Sequence, residues 1–239
     1  MTENLTPDQH RRYSRNILLP EIGKKGQIKM LNSSVLIVGT GALGSVVSMY
    51  LAAAGVGHIG LCDFDTIDIS NLQRQLSFTE ADVSRKKVEV TAEKLRAINS
   101  EISIDVYDGM LRKEQAGSIF ADYDIIVEGS DNPNTKYMVT DIAAELGKPC
   151  VLGGVAQFAG QVMTILPGGT TYRDIFPDAA GDGEFMPCSL GGVLGPVPGI
   201  VGSLQATEVI KLITSAGTPL ASQILSFDAL SMSFRKMEL

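Results

Sequence analysis

The chain has 239 residues, 44% hydrophobic and 20% charged, a balance that supports a folded core and excludes a charge-rich disordered segment. Its formal net charge is −7 with no Lys/Arg block, so nucleic acid is not an expected partner. The cysteines Cys62, Cys150 and Cys188 show no disulfide-framework spacing, and the polar start MTENLTPDQHRRYSRN lacks a secretory pattern; a reducing, cytoplasmic location is expected.

From Val35 to Cys62 there is no Asp, Glu, Lys or Arg. Glycines at 39, 41, 44, 55, 57 and 60 divide this run into strand, turn, helix and strand, so it does not read as a membrane span. Prolines 187, 196 and 198 interrupt the uncharged run from Phe185 to Thr207 in the same way, and no membrane association is expected. Strands at Val35–Val38, His58–Cys62 and Ile102–Val106 alternate with helices from about Leu43 and from about Ser84 to Asn99, the rhythm of a parallel sheet. Val88, Ala92, Leu95 and Asn99 step along one face of the second helix while Glu89, Glu93 and Arg96 face water.

Asp124–Val127 reads as the next strand, and Asp131-Asn132-Pro133 places a capping side chain before a proline at a helix start, with the helix running to about Leu146. Cys150–Gly154 and Gln161–Leu166 read as an antiparallel hairpin turning at Phe158-Ala159-Gly160. Pro167–Pro187 has no period and reads as an exposed loop; a helix from about Gly199 to Thr214 and strands at Ile224–Asp228 and Ser231–Lys236 follow. The expected fold is α/β: a Rossmann-like, mixed but mostly parallel sheet with helices on both faces and an antiparallel C-terminal part.

VLIV followed by Gly39-Thr40-Gly41-Ala42-Leu43-Gly44 is a GxGxxG turn between strand and helix, and Asp63 closes the next strand. Glycines admit a ligand close to the backbone, the helix start attracts phosphate, and the acid accepts from ribose hydroxyls. This fingerprint alone equally fits an NAD-dependent dehydrogenase. The segment after Asp63 points elsewhere: Asp65, Asn71, Arg74 and then Lys87 bring carboxylate, amide and cations to the strand ends, the groups a triphosphate and its metal ion require. Asp131 closes the following strand.

Taken in order, RRYSRNILLPEIGKKGQ, VLIVGTGALG, LCDFDTIDISNLQRQ, KVEV, LRAIN, EGSDNPNTKY and GVLGPVPGIVGSLQATEVIKLI resemble the ThiF/MoeB/HesA family over nearly the whole chain. The resemblance implies one domain over 1–239, with 1–166 forming the nucleotide-binding part with N-terminal helices and 167–239 the crossover loop and carrier-binding part. It implies ATP and magnesium: Gly39, Gly41, Ala42, Gly44, Asp65 and Asn132 in the nucleotide site, Asp63 on the ribose, Asn71, Arg74 and Lys87 on the phosphates, and Asp131 with magnesium. Arg15 stands where the family's arginine reaches the triphosphate of a neighbouring subunit, which implies a homodimer. The implied reaction is adenylation of the terminal carboxylate of a small ubiquitin-like carrier ending in Gly-Gly, releasing pyrophosphate and priming the carrier for sulfur from a separate donor protein.

Departures accompany the resemblance. Thr171 and Asp174 stand where the family's first zinc-binding CxxC pair belongs, so no zinc site is expected. Lys136 replaces a usual arginine, keeping charge but losing bidentate geometry. Cys188 stands where relatives use a cysteine in sulfur transfer, whereas Cys62 and Cys150 read as packing residues, as does His58. A non-catalytic partner subunit is the alternative within the family.

Overall fold

The computed structural model describes residues 2–177 and 191–239. Three short helices, α1 (Pro7–Arg12), α2 (Ser14–Ile17) and α3 (Gly23–Leu31), precede the sheet. The parallel strands are β1 (Ser34–Val38), β2 (His58–Asp63), β3 (Ser103–Asp108), β4 (Ile125–Glu128) and β5 (Cys150–Ala156). Antiparallel β6 (Ala159–Ile165), β7 (Gln223–Asp228) and β8 (Ser233–Glu238) complete one eight-stranded sheet in the order β3-β2-β1-β4-β5-β6-β7-β8. The order reverses between β1 and β4, so their carboxyl ends diverge and open a crevice, the place where such sheets bind ligands.

Successive residues of β1 point to opposite faces, and both faces are covered, which explains the unbroken apolar run VLIV. Val35 and Ile37 enter a core with α4 (Gly44–Ala54), α5 (Lys87–Ile98) and α9 (Pro196–Thr214), while Leu36 and Val38 enter one with α6 (Lys113–Ala121), α7 (Pro133–Glu145) and α8 (Tyr172–Ile175). The face expected for α5 is the buried one: Val88, Ala92, Leu95 and Asn99 are all sequestered. Val90 is buried as well, because Phe78 and Ile67 from the preceding segment close over it.

Four local expectations shift. The helix expected from Ser84 begins at Lys87, because residues 84–86 turn back onto 65–67: Ser84 N donates to Ile67 O at 2.8 Å and Ile67 N to Arg85 O at 2.9 Å. The β5–β6 turn is Gln157-Phe158 rather than 158–160, since Ala156 already pairs with Ala159. Helix α6 was not expected, and α8 interrupts a stretch read as loop. Its start is a reciprocal cap in which Thr171 Oγ1 donates to Asp174 Oδ2 at 2.7 Å and accepts from Asp174 N at 3.3 Å. No described helix is long and apolar enough to cross a membrane.

Candidate active site

The site is built from the glycine turn outward. Gly39 has φ +87°, and a Cβ there would lie 3.0 Å from the backbone of Gly129 and Ser130, so the ends of β1 and β4 touch at the crevice floor. At Gly44 a Cβ would stand 1.8 Å from Gly39 O, which leaves no room for a larger residue where the turn enters α4. Gly41 is open by comparison, with only the Gln75 amide at 3.5 Å. Asp63 ties the turn to β2: one carboxylate oxygen accepts from Thr40 N at 2.7 Å and Thr40 Oγ1 at 3.1 Å, the other from Asp65 N at 3.0 Å. The acid expected to meet ribose therefore also orders the phosphate loop.

The next strand ends supply charge. Lys87, buried at the first turn of α5, donates to Asp65 Oδ2 at 2.8 Å, and its backbone N donates to Asp65 O at 3.1 Å. Arg74 lines the crevice and donates to Ser70 O at 3.0 Å. Asn71 is placed otherwise: its Oδ1 accepts from Asp68 N at 3.2 Å within a turn, and it is not among the residues lining the cavity. Gln75, next to Arg74, lines the cavity, is 4% exposed, and has an Oε1 with no hydrogen-bond partner. A buried acceptor or donor group without a partner costs free energy, so this amide beside Gly41 fits a ligand-facing role. Sequence reading passed over it, although it ends the motif that carries Asn71 and Arg74.

At the end of β4 the cap of α7 falls to Asn132, whose Oδ1 accepts from Asn134 N at 2.9 Å and Thr135 N at 3.3 Å. Asp131 is thus released from capping and, among the described residues, its exposed carboxylate has no hydrogen-bond partner. Below it Lys136 forms a buried ion pair with Glu128 and donates to Gly153 O at 2.7 Å. Glu128 also accepts from Ser130 N at 2.9 Å, so the pair ties the loop leading to Asp131 onto β5.

One cavity of about 660 Å³ joins these groups and continues over β5 to β8, a volume suited to a small-molecule site. Gly39, Gly41, Ala42, Asp63, Asp65, Arg74, Lys87, Asp131 and Asn132 all line it; Gly44 supports it from behind. Among the described residues, the lining carboxylates of Asp63, Asp65, Asp131 and Asp228 are matched by the cations Arg74, Lys87, Lys136 and Arg235, and buried Glu128, behind the lining, adds one carboxylate more. A polyphosphate entering it needs further positive charge.

Arg15 is not brought to this cavity. Tyr13, buried against Gly55 and accepting from Asn99 Nδ2 at 2.9 Å, pins the N-terminal helices to the far end of α4. That helix has 11 residues, so roughly 16 Å separate this anchor from the glycine turn. Arg15, exposed on α2, is not among the described residues that line the crevice. Of the cysteines, Cys62 and Cys150 are buried; burial, with the nearby Asp63, pushes the Cys62 thiol up to about 12, and burial raises that of Cys150 too, so neither presents a thiolate. Cys188 lies outside the described residues. His58 pairs with Asp105 at 2.8 Å and stacks on Tyr123, remote from the cavity, in keeping with a structural role.

A doubly wound sheet with its glycine turn, an acid closing the second strand and cations at the switch point has the build of a nucleotide-binding α/β protein. The chain belongs to the ThiF family, whose model matches residues 13–239. It is 44% identical over 236 residues to the adenylyltransferase and sulfurtransferase MOCS3 of Arabidopsis thaliana, covering 98% of this chain and 51% of that protein. It is 41% identical over 238 residues to the sulfur carrier protein adenylyltransferase of Thermus thermophilus, covering 97% of this chain and 88% of the relative. The SAMP-activating enzyme E1 of Haloferax volcanii is 39% identical over 234 residues, with 98% and 87% covered. The chain thus spans about half of the Arabidopsis relative and most of the other two. Among solved structures, E. coli MccB with ATP superposes with a TM-score of 0.81 at 28% identity, covering 95% of this chain and 70% of that one. MccB in complex with N-formylated MccA gives 0.86 at 27% identity, covering 97% and 73%.

Proposed function

We propose that this chain uses ATP to adenylate the C-terminal Gly-Gly carboxylate of a small ubiquitin-like sulfur-carrier protein, releasing pyrophosphate and priming the carrier for thiocarboxylation. The observation that carries the reading is the single cavity that starts at the glycine turn, passes Arg74, Lys87 and Asp131, and continues beside Gly153 and Gly154 over the antiparallel strands. One end suits a nucleotide; the other has room for an extended chain terminus. Three of the charged groups expected of an active subunit line it together, which favours an enzyme over a silent partner.

In this reading the attacking carboxylate is already ionised, so no enzyme base is needed. The work lies in alignment and in charge stabilisation at the phosphates. Gly39, Gly41 and the start of α4 receive the phosphates, Asp63 lies toward the ribose, and Arg74 and Lys87 counter the charge. Asp131 would hold magnesium, which when bound neutralises phosphate charge and polarises the reacting centre. Because buried Glu128 takes up Lys136 and leaves the described lining short of one cation, and Arg15 sits at the wrong end of its own subunit, the missing cation comes from Arg15 of a second copy in a homodimer. A separate protein supplies sulfur in the cytoplasm, and Cys188 acts in that later step. The Thr171–Asp174 cap holds by hydrogen bonds a turn that relatives hold with zinc, so the enzyme works without zinc; stoichiometric zinc by elemental analysis would contradict this.

The test is ATP–pyrophosphate exchange with and without a Gly-Gly-terminated carrier. Exchange depends on the carrier, and Arg74→Ala and Asp131→Ala each lower it by about 10²–10³-fold, the usual value of one charge-stabilising group in a shielded site. Exchange that needs no carrier, full activity in both variants, or NAD binding without ATP binding would sink the assignment. Cys188→Ala retains exchange and loses carrier thiocarboxylate formation.

A further inference from the structure

We propose that Arg235 is a specificity residue that pairs with an acidic side chain in the tail of the incoming carrier; the inference rests on the carrier-adenylation reading above. The antiparallel half of the sheet places Gly154, Gln161, Ser226 and Arg235 in one row across β5 to β8, through the pairs Gly154–Gln161, Gln161–Ser226 and Ser226–Arg235. All four line the cavity. The row begins at a strand position with no side chain, beside the Gly153 carbonyl that Lys136 holds, and ends on an edge strand. It is a polar track leading outward from the reacting end.

The other cations of the cavity are committed. Lys87 is bound to Asp65, Lys136 to Glu128, and Arg74 to the Ser70 carbonyl. Asp228, the acid next to the outer end of the track, is committed too: its two oxygens accept from Leu230 N at 2.9 Å and Ser231 Oγ at 2.7 Å, closing the β7–β8 turn. Among the described residues the Arg235 guanidinium has no hydrogen bond or ion pair. A planar fork of donors left open on the wall of a cleft matches a carboxylate in two-point geometry.

Spacing selects which residue of the tail is read. Three interstrand steps of about 4.8 Å separate β5 from β8, roughly 14 Å, and an extended peptide covers that in about four residues. With the terminal glycines beside Gly153 and Gly154, Arg235 faces the fifth or sixth residue from the carrier's C-terminus. A glycine pair at the inner end and an acid at that distance is the tail chemistry this track fits.

The probe is a Gly-Gly-terminated ubiquitin-like carrier that supports exchange by the wild-type chain, prepared with Glu, Ala or Lys at both the fifth and sixth positions from its end. Wild type shows a carrier KM about ten-fold lower for Glu than for Lys, a preference that weakens with salt as expected of a partly exposed pair. Arg235→Ala removes the preference and Arg235→Glu inverts it, while the KM for ATP is unchanged in both. Equal KM for the three carriers with wild type, or a preference that Arg235→Glu leaves in place, overturns the inference and leaves adenylation standing. If no Gly-Gly-terminated carrier, substituted or not, supports exchange with wild type, the adenylation reading on which the inference rests is overturned instead.

Discussion

Lys136 neutralises Glu128 beneath the cavity and reaches the Gly153 carbonyl with the same ammonium, so this cation is structural in position. Glu128 is fully buried and Lys136 nearly so. Removing one partner leaves a buried charge alone, and Lys136→Met is expected to cost about 3–5 kcal/mol of stability. Converting both, as Glu128→Gln with Lys136→Met, restores a large part of that loss. Urea unfolding of the singles and the double decides it; an additive double variant would show that the two groups are uncoupled.

Arg15 and Asp131 belong to different subunits of one site if the proposed homodimer forms. Arg15→Ala and Asp131→Ala are then each inactive, but mixing them after dissociation regenerates dimers carrying one intact site. Activity recovers to about a quarter of wild type when the two variants mix evenly, because half the dimers are mixed and each has one complete site. No activity above either parent after verified subunit exchange removes the shared-site reading.

The glycine turn separates folding from binding. Gly44→Ala forces a Cβ into Gly39 O, and is expected to destabilise by about 3 kcal/mol or more, whereas Gly41→Ala meets only the Gln75 amide at ordinary contact distance. The second variant keeps its melting temperature and raises the KM for ATP. Thermal melts and ATP titration of both variants check this, and equal losses of stability would show the geometry to be misjudged.

Acid stability is expected to reflect Asp82. This carboxyl accepts from Lys94 Nζ at 2.9 Å and from Thr79 N and Oγ1 at 2.9 and 2.8 Å, anchoring the segment between Arg74 and α5. Lys94 most of all, and then Thr79, hold it down to about 2 against the opposing effect of burial. A carboxyl depressed in the folded state stabilises fully above its unfolded pKa near 4 and loses that contribution as pH falls through the folded value. Wild type should therefore exceed Asp82→Asn by at most about 2 kcal/mol at neutral pH, with the gap closing between about pH 4 and pH 2. A gap that stays constant over that range would assign the effect to packing.

Much of this molecule is written in local patterns. The VLIV run, the turn GTGALG, the face of α5 and the cap Asn132-Pro133 each depend on neighbours within one helix turn or one strand, and all formed as read, within a few residues. Helix α6 escaped because it buries only Ala116 and Phe120, a pair too sparse to stand out, and it is held by its packing in the core with α7. Helix α8 escaped because its Thr171–Asp174 cap lies among Gly, Pro and Thr residues that read as loop. The side chains of the site were also legible, since Asp63, Arg74, Lys87 and Asp131 follow strand ends whose positions the apolar runs mark. Their pairing was not. That Lys87 meets Asp65, that Lys136 turns inward to Glu128, that Gln75 faces Gly41, and that Arg15 is carried to the opposite end of α4 are consequences of how β1, β4 and the N-terminal helices approach one another. Sequence patterns determine which residues reach an edge, because backbone periodicity acts over short spans. Which charge finds which partner across that edge depends on distances between segments far apart in the chain, and those exist only once the sheet has assembled.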